Sequence, residues 1–298
     1  MHTHQSLVNT TKTAVLLAAL GGALVAAGGL LGSTTGALVG LVIGLAVVGG
    51  SYWFSDRLAI RAARAHPVTE EEAPRLYAVV RRLTRLADLP MPELYVSPSA
   101  QPNAFATGRS PEHAAVCVTD GILPLLDDEE LEGVLAHELS HVANRDILIG
   151  SIAAALAMAI TLLARMAMWG TLLGGGRRRN AGLLGAIGTL AMLVLAPLAA
   201  MLIQMGISRS REFEADHSGA LLVGDGAPLA RALRKIEAAA ATTPMHIDPA
   251  HATAYIVNPL TGRQLDFAGL FRTHPPLEQR LARLADVRPT PTIRSSAA

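Results

Sequence analysis

The chain has 298 residues, of which 51% are hydrophobic and only 16% are charged. Globular proteins carry about 25% charged residues, so this chain must keep apolar surface from water in an unusual place, and a bilayer is the obvious candidate. The formal net charge of +1 gives no overall attraction to nucleic acid, which is therefore not an expected partner.

Two uncharged stretches lie near the start of the chain, at residues 13–32 and 36–54. Each approaches the ~20 residues that a helix needs to span hydrocarbon, so residues 1–55 are predicted to form a transmembrane hairpin. A cleaved signal peptide is the alternative for the first stretch. Its apolar region exceeds the usual ~7–15 residues, however, and a second span follows at once. Several arginines follow the second stretch and predict a cytoplasmic location for the residues after it.

Residues 147–207 form a second apolar region, which is interrupted by Arg165 and by a loop that holds Arg177–Arg179. If both halves cross the membrane, this basic loop lies opposite the cytoplasmic part, against the usual excess of positive charge in the cytoplasm. The region is predicted to be a second hairpin that either crosses the membrane or is only partly inserted. The last residues, 289–298, are rich in Pro and Ser and are predicted to be disordered.

The sequence between the two apolar regions has the character of a folded polar domain. Residues 70–89 carry apolar side chains at helical spacing until Pro90 ends the run. Short β-prone runs, punctuated by Pro, Gly, Asn and Ser, then predict a small sheet. A mainly helical α+β fold is therefore expected.

The stretch VLAHELSHVANRD, residues 134–146, holds two histidines four residues apart, with a glutamate directly after the first. An Asp-x-x-Glu capping-box pattern precedes it and predicts that it lies on a helix. Residues four apart on a helix share a face, so His137 and His141 can bind one zinc ion. A catalytic zinc site takes a third protein ligand and leaves a position for water, on which Glu138 is placed to act as general base.

A third ligand is available in REFEAD, which offers Glu212, Glu214 and Asp216. Glu212 and Asp216 share a helix face, whereas Glu214 points away from it. Glu212 is the predicted ligand, and Asp216 is expected to hydrogen-bond a ligand histidine and fix its tautomer. The alternative is an acidic turn whose charge is balanced by the neighbouring arginines.

Four segments, AHELSHVANRD, SRSREFEAD, PNAFATGRSPEHAAV and THPPLEQR, together resemble the HtpX-like membrane zinc endopeptidases, gluzincins related to the CAAX prenyl endopeptidases. The resemblance implies an integral membrane protein with transmembrane helices, a zincin-like catalytic domain that carries the small sheet, and one Zn²⁺ per chain. It implies cleavage of membrane or misfolded proteins in quality control and stress response. It also implies a bacterial inner (plasma) membrane, with the active site facing the cytoplasm.

The resemblance adds candidates outside the predicted zinc helix. PNAFATG looks like the edge strand that binds substrate backbone in zincin proteases, which makes Asn103, Ala104 and Phe105 candidates for substrate contact. His274, in THPP, resembles a family position that could donate to the tetrahedral oxyanion, although a histidine before two prolines could equally begin a helix. For Arg280, a surface position is favoured over a role beside the site carboxylates.

The predicted organisation is an N-terminal hairpin (1–55), a cytoplasmic catalytic part with sheet and zinc helix (56–146), the second hairpin (147–207), a third-ligand helix with the C-terminal catalytic part (208–288) and a disordered tail (289–298). Because an apolar run begins just after the zinc helix, the site should lie close to a lipid bilayer, an expected partner beside protein substrates. Two rival functions are a zinc aminopeptidase and a membrane scaffold with a structural zinc. The glutamate after the first histidine argues against the scaffold, because a structural site needs no base.

Overall fold

The computed structural model describes residues 2–149, 209–243, 255–257 and 275–287. These residues form a mainly helical fold with one small mixed sheet, as the sequence predicts. Most of the second apolar region, His274 and the tail 289–298 lie outside the described residues, as do the predictions made for them.

The N-terminal helix α1 runs without a break from His2 to Ala62. This differs from the predicted hairpin, in which a turn would separate the two uncharged stretches. The junction GSTTG, residues 32–36, holds no proline, and glycine in a helix costs only about 1 kcal/mol relative to alanine, so the helix continues through it. Among the helices of the described residues, none combines the length and hydropathy that a bilayer crossing requires.

The sheet consists of four strands in the described part of the chain: β1 (His66–Pro67), β2 (Glu93–Ser97), β3 (Ala104–Gly108) and β4 (Ala114–Thr119). Their order across the sheet is β1-β2-β4-β3. β2 is parallel to β4, and β3 is antiparallel to β4. β3 is therefore an edge strand, and one side of its backbone faces away from the sheet.

The helices that follow α1 are α2 (Pro74–Ala87), α3 (Ile122–Leu125), α4 (Asp128–Ala143), α5 (Arg209–Val223), α6 (Ala227–Thr242) and α7 (Leu277–Ala285), with a 3-10 turn at Pro111–His113. Successive side chains of a strand point to opposite faces, so β4 contributes to two cores. Val116 and Val118 share a core with side chains of α2 and α4. Cys117 packs instead with Ala59 and Ile60 at the end of α1.

Helix α4 carries the histidine motif and begins as the sequence predicts. The Asp127 carboxylate accepts a hydrogen bond from the Glu130 backbone N–H at 2.8 Å, and the Glu130 carboxylate accepts one from the Asp127 N–H at 3.1 Å. The apolar face of α4 is buried throughout: Leu131, Val134, Leu135, Leu139 and Val142. α4 is the central helix of the described fold, in contact with α2, α5, α6 and β3.

Candidate metal centre

Three side chains from two helices meet at one point. His137 and His141 lie one turn apart on α4, and Glu212 lies in the first turn of α5. The two Nε2 atoms are 3.2 Å apart. Glu212 places Oε1 3.4 Å from Nε2 of His141 and Oε2 3.9 Å from Nε2 of His137. The structure thus brings together the residues that the sequence predicts as metal ligands.

The donor set fits a zinc ion. Two imidazole nitrogens and a carboxylate oxygen are ligands that zinc takes at about 2.0–2.2 Å in tetrahedral geometry, which puts neighbouring ligand atoms roughly 3.4 Å apart. The separations of 3.2 and 3.4 Å are close to that value, and the 3.9 Å contact with His137 is made by the other oxygen of Glu212. His137 is 1% exposed and Glu212 is 8% exposed. Water therefore solvates these buried polar groups poorly, and a bound cation would satisfy them instead.

A carboxylate faces the outer nitrogen of each histidine. Nδ1 of His137 lies 2.9 Å from Oδ1 of Asp216, and Nδ1 of His141 lies 3.3 Å from Oδ2 of Asp146. A carboxylate at Nδ1 favours a proton there and leaves Nε2 free to bind a metal. Sequence reasoning placed Asp216 in this role and missed Asp146. The position of Asp146, five residues after His141 and just beyond the end of α4, is the signal that could have indicated it.

Arg280 is buried at the site rather than exposed on the surface, which corrects the position favoured from the sequence. Its guanidinium group makes a two-pronged ion pair with Asp216, with Nε 2.8 Å from Oδ2 and Nη2 2.6 Å from Oδ1. Burial by itself would raise the pKa of Asp216, but Arg280 overcomes this and lowers the pKa to about 2. Asp216 is therefore ionised at neutral pH and can orient His137. Arg280 shares its helix face with buried Leu284, four residues on, and that spacing is the missed signal.

The two histidines differ in their electrostatic surroundings. Burial lowers the pKa of His137 and so favours the neutral imidazole that a metal binds. Burial acts in the same direction on His141, but Asp146 and Glu212 outweigh it and raise the pKa of His141 to about 10. The carboxylates around His141 thus favour positive charge at this position, which a bound cation would supply.

Glu138 joins the histidine helix to the edge strand. Its carboxylate accepts a hydrogen bond from the backbone N–H of Ala106 on β3. Its side chain is buried, and burial raises the pKa of Glu138 to about 7. A carboxyl group with a pKa near the working pH is well matched to accepting and returning a proton.

Helix α5 packs directly against the backbone of α4 at Gly219. A Cβ at this position would lie 2.8 Å from the backbone nitrogen of His137 and 3.0 Å from the carbonyl carbon of Ala136. Only a residue without a side chain lets the two backbones approach this closely. Gly219 lies on the same face of α5 as Glu212, about two turns on, so this contact sets the distance between Glu212 and the histidines.

The predicted substrate-contacting residues, Asn103, Ala104 and Phe105, are all buried. The carbonyl of Ala104 accepts a hydrogen bond from the Ile256 N–H at 2.9 Å. The ring of Phe105 packs edge-on against Tyr255, with centroids 4.9 Å apart. Residues 255–257 of the chain itself therefore cover this end of the β3 edge, which no short-range sequence pattern could have indicated.

The sequence matches Peptidase family M48 over residues 70–288. The chain belongs to this family. It is a metalloprotease, a hydrolase of peptide bonds, as its motifs predict. The family region includes both histidines of α4 and the whole of α5.

Curated relatives support the same assignment. A protease HtpX homolog from Pelotomaculum thermopropionicum is 52% identical over 278 residues, which cover 93% of this chain and 98% of that protein. Another from Thermococcus sibiricus is 48% identical over 279 residues, which cover 93% of this chain and 95% of the relative. A solved structure, that of S. mikatae Ste24p, is similar with a TM-score of 0.49 and 17% identity, over 95% of this chain and 67% of that one.

Replacing Gly219 with alanine should lower the metal content of the purified protein. The new Cβ would force α5 away from His137 and carry Glu212 out of reach of the histidines. Gly133→Ala is the matched control, because its Cβ would lie equally close, at 2.8 Å, to the Leu229 backbone on α6. Helix α6 carries none of the three candidate ligands.

Both variants should lose about 1–3 kcal/mol of unfolding free energy from overpacking, measured by urea denaturation. Only Gly219→Ala should lose zinc, measured by elemental analysis after dialysis against limiting zinc. Equal metal loss in the two variants, or full occupancy in Gly219→Ala, would contradict the positioning role of this contact.

Proposed function

We propose that this metalloprotease is a membrane-bound, zinc-dependent endopeptidase that cleaves membrane or misfolded proteins in protein quality control. The observation that carries the proposal is the buried convergence of His137, His141 and Glu212, with Glu138 on the same helix. Metal-assisted hydrolysis of a peptide bond uses a Lewis acid and a proton carrier, and this arrangement can provide both.

His137, His141 and Glu212 would hold one Zn²⁺. The bound ion would supply Lewis acidity for the scissile carbonyl and would make water a stronger nucleophile at neutral pH. Asp216 and Asp146 lie behind the histidines, 2.9 Å from Nδ1 of His137 and 3.3 Å from Nδ1 of His141, where their charges would orient the two rings. Arg280 in turn keeps Asp216 ionised and in place.

Glu138 is proposed as the general base. Its carboxylate accepts the proton of the attacking water and then delivers it to the leaving amine nitrogen. The hydrogen bond from the Ala106 N–H holds one side of the carboxylate in position for this transfer. His274 is proposed to donate a hydrogen bond to the oxyanion that forms on the carbonyl.

The structural-zinc scaffold is supported less well than the enzyme. Structural zinc sites are closed by four protein ligands, whereas the cluster in the described residues has three. A buried carboxyl group beside the ligands, with its pKa raised to about 7, would be costly and without purpose in such a site. The aminopeptidase alternative uses the same chemistry and is separated by the choice of peptide.

Membrane attachment is proposed from α1. Residues 13–54 carry no charged side chain. Leu38, Val42 and Leu45 are 59%, 66% and 66% exposed, and contiguous exposed apolar surface of this kind marks contact with a partner or a membrane. We propose that this helix contacts the lipid bilayer of a bacterial plasma membrane and that the catalytic part faces the cytoplasm.

Changing Glu138 to Gln should abolish cleavage of casein and of an internally quenched, N-blocked peptide, while zinc content stays at one ion per chain. The amide cannot accept the proton, so kcat should fall at least ~10²- to 10⁴-fold. Glu214→Gln is the matched control, since Glu214 lies on α5 outside the ligand cluster.

Chelation of the wild type should remove activity, and added zinc should restore it. Retained cleavage by zinc-loaded Glu138→Gln would exclude the proposed base. Cleavage of free but not N-blocked peptides would point to an aminopeptidase, and full zinc without any cleavage would point to the scaffold.

A triple change of Leu38, Val42 and Leu45 to lysine should shift the protein from the membrane pellet to the soluble fraction after alkaline carbonate washing. Charged side chains on a lipid-facing surface are strongly unfavourable. A matched triple change of exposed apolar residues in the catalytic part, at Leu86, Met91 and Leu221, should leave the wild-type distribution unchanged. Identical distributions for both triple variants would contradict lipid contact through this part of α1.

A further inference from the structure

A three-residue segment of the chain lies along the outer edge of β3. This segment, Tyr255, Ile256 and Val257, is here called the strap, and its residues are 1%, 1% and 8% exposed. The Ile256 N–H donates to the Ala104 carbonyl at 2.9 Å. The Asn103 side chain binds both backbone polar groups of Val257. Its Nδ2 donates to the Val257 carbonyl at 2.7 Å, and its Oδ1 accepts from the Val257 N–H at 3.3 Å.

The strap is also tied to the residues that orient the metal ligands. Nη1 of Arg280 donates to the Ile256 carbonyl at 2.9 Å, while the rest of the same guanidinium group holds Asp216. The Tyr255 ring packs against Phe105. Displacement of the strap would leave the buried Asn103 amide and the buried Arg280 guanidinium without these partners, which is unfavourable. The contacts therefore indicate a fixed part of the fold.

Successive residues of β3 direct their backbone N–H and C=O groups alternately toward β4 and away from the sheet. In an antiparallel pair, every second residue directs its N–H and C=O toward the neighbouring strand. The Thr119 N–H donates to the Asn103 carbonyl, so Asn103 faces β4 whereas Ala104 and Ala106 face outward. The strap binds Ala104, and the candidate base Glu138 binds Ala106. Ala106 is partly exposed, unlike the buried residues at the strap end of the strand.

We propose that the strap limits the substrate-binding edge of the enzyme: an extended peptide meets β3 at Ala106, and the strap excludes it from Ala104. This inference rests on the proposed endopeptidase function and specifies how its substrates bind. Ala104 and Ala106 are two residues apart, about 7 Å along a strand, so room remains for roughly two peptide residues between the scissile bond and the strap. Asn103 and Phe105 then act by anchoring the strap rather than by touching substrate.

The first test measures kcat/KM for two nested peptide series cut at the same bond, one lengthened only on its N-terminal side and one only on its C-terminal side. In the wild type, the gain in kcat/KM should stop after roughly two residues on one side and continue to rise on the other. Tyr255→Ala removes the Tyr255 ring that packs against Phe105. In this variant, kcat/KM for longer peptides on the restricted side should rise at least ~3-fold. Tyr255→Phe keeps the ring and should behave as wild type.

Equal gains on both sides in the wild type would overturn the proposal. So would an unchanged limit in Tyr255→Ala that retains wild-type zinc content and resistance to urea. Zinc content separates these outcomes from a loss of the metal centre.

The second test does not depend on turnover. Hydrogen–deuterium exchange is measured on zinc-loaded Glu138→Gln with and without saturating casein. The Ile256 amide should stay protected when casein binds. Faster exchange at Ile256 on casein binding would show that substrate displaces the strap and would overturn the proposal. If the wild type cleaves nothing, the proposed function fails, and this experiment still decides whether the strap is fixed.

Discussion

The close approach of α5 to α4 is the constraint on which the metal centre depends. The two histidines and Glu212 are far apart in the sequence, and only the packing of two helices puts their ligand atoms within 4.8 Å of one another. That packing requires a backbone without a side chain at Gly219, directly against His137. The fixed backbone contact explains how a single carboxylate can serve a site built on another helix.

Charge balance is the second requirement of the centre. Buried charges must be paired, because the protein interior solvates them poorly. Around the two histidines, four buried carboxylates face two buried guanidinium groups: Asp146, Glu138, Glu212 and Asp216, with Arg211 and Arg280. If all are ionised, the sum of four negative and two positive charges is −2, which one divalent cation neutralises. The carboxylates of Asp146 and Glu212, which raise the pKa of His141 to about 10, reflect the same excess of negative charge.

The sequence predicts the parts of the site that local spacing determines. His137 and His141 share a face because they are four residues apart, and the same rule selects Glu212 and Asp216 over Glu214. The capping box at Asp127 defines the start of α4 and is confirmed. Each of these inferences needs only a few neighbouring residues and the geometry of one helix.

Rules of local spacing do not predict contacts between distant segments. Arg280 reaches Asp216 from α7, and the strap reaches β3 from residues that share no pattern with that strand. The continuous helix α1 was missed for a related reason: glycine and threonine at residues 32–36 permit a turn without requiring one. These contacts and the course of α1 depend on how distant segments pack together, and the sequence of a single segment does not determine that packing.

The edge strand connects the metal centre to its proposed substrates. Glu138 binds β3 at Ala106, the strap closes the edge at Ala104, and Arg280 links the strap to the carboxylate behind His137. Base, ligand orientation and substrate edge thus belong to one hydrogen-bonded unit. A substrate aligned along this edge would meet a base that is already held in place.

The most direct test of the account is X-ray absorption spectroscopy of the zinc-loaded protein at the zinc edge. The account predicts a shell of nitrogen and oxygen atoms at about 2.0–2.2 Å, with the multiple scattering of two imidazole rings, and the loss of one oxygen contribution in Glu212→Ala. Scattering from one or no imidazole ring, or a spectrum unchanged in Glu212→Ala, would contradict it. A sulfur atom at about 2.3 Å would do so as well, because it would bring Cys117 into the site.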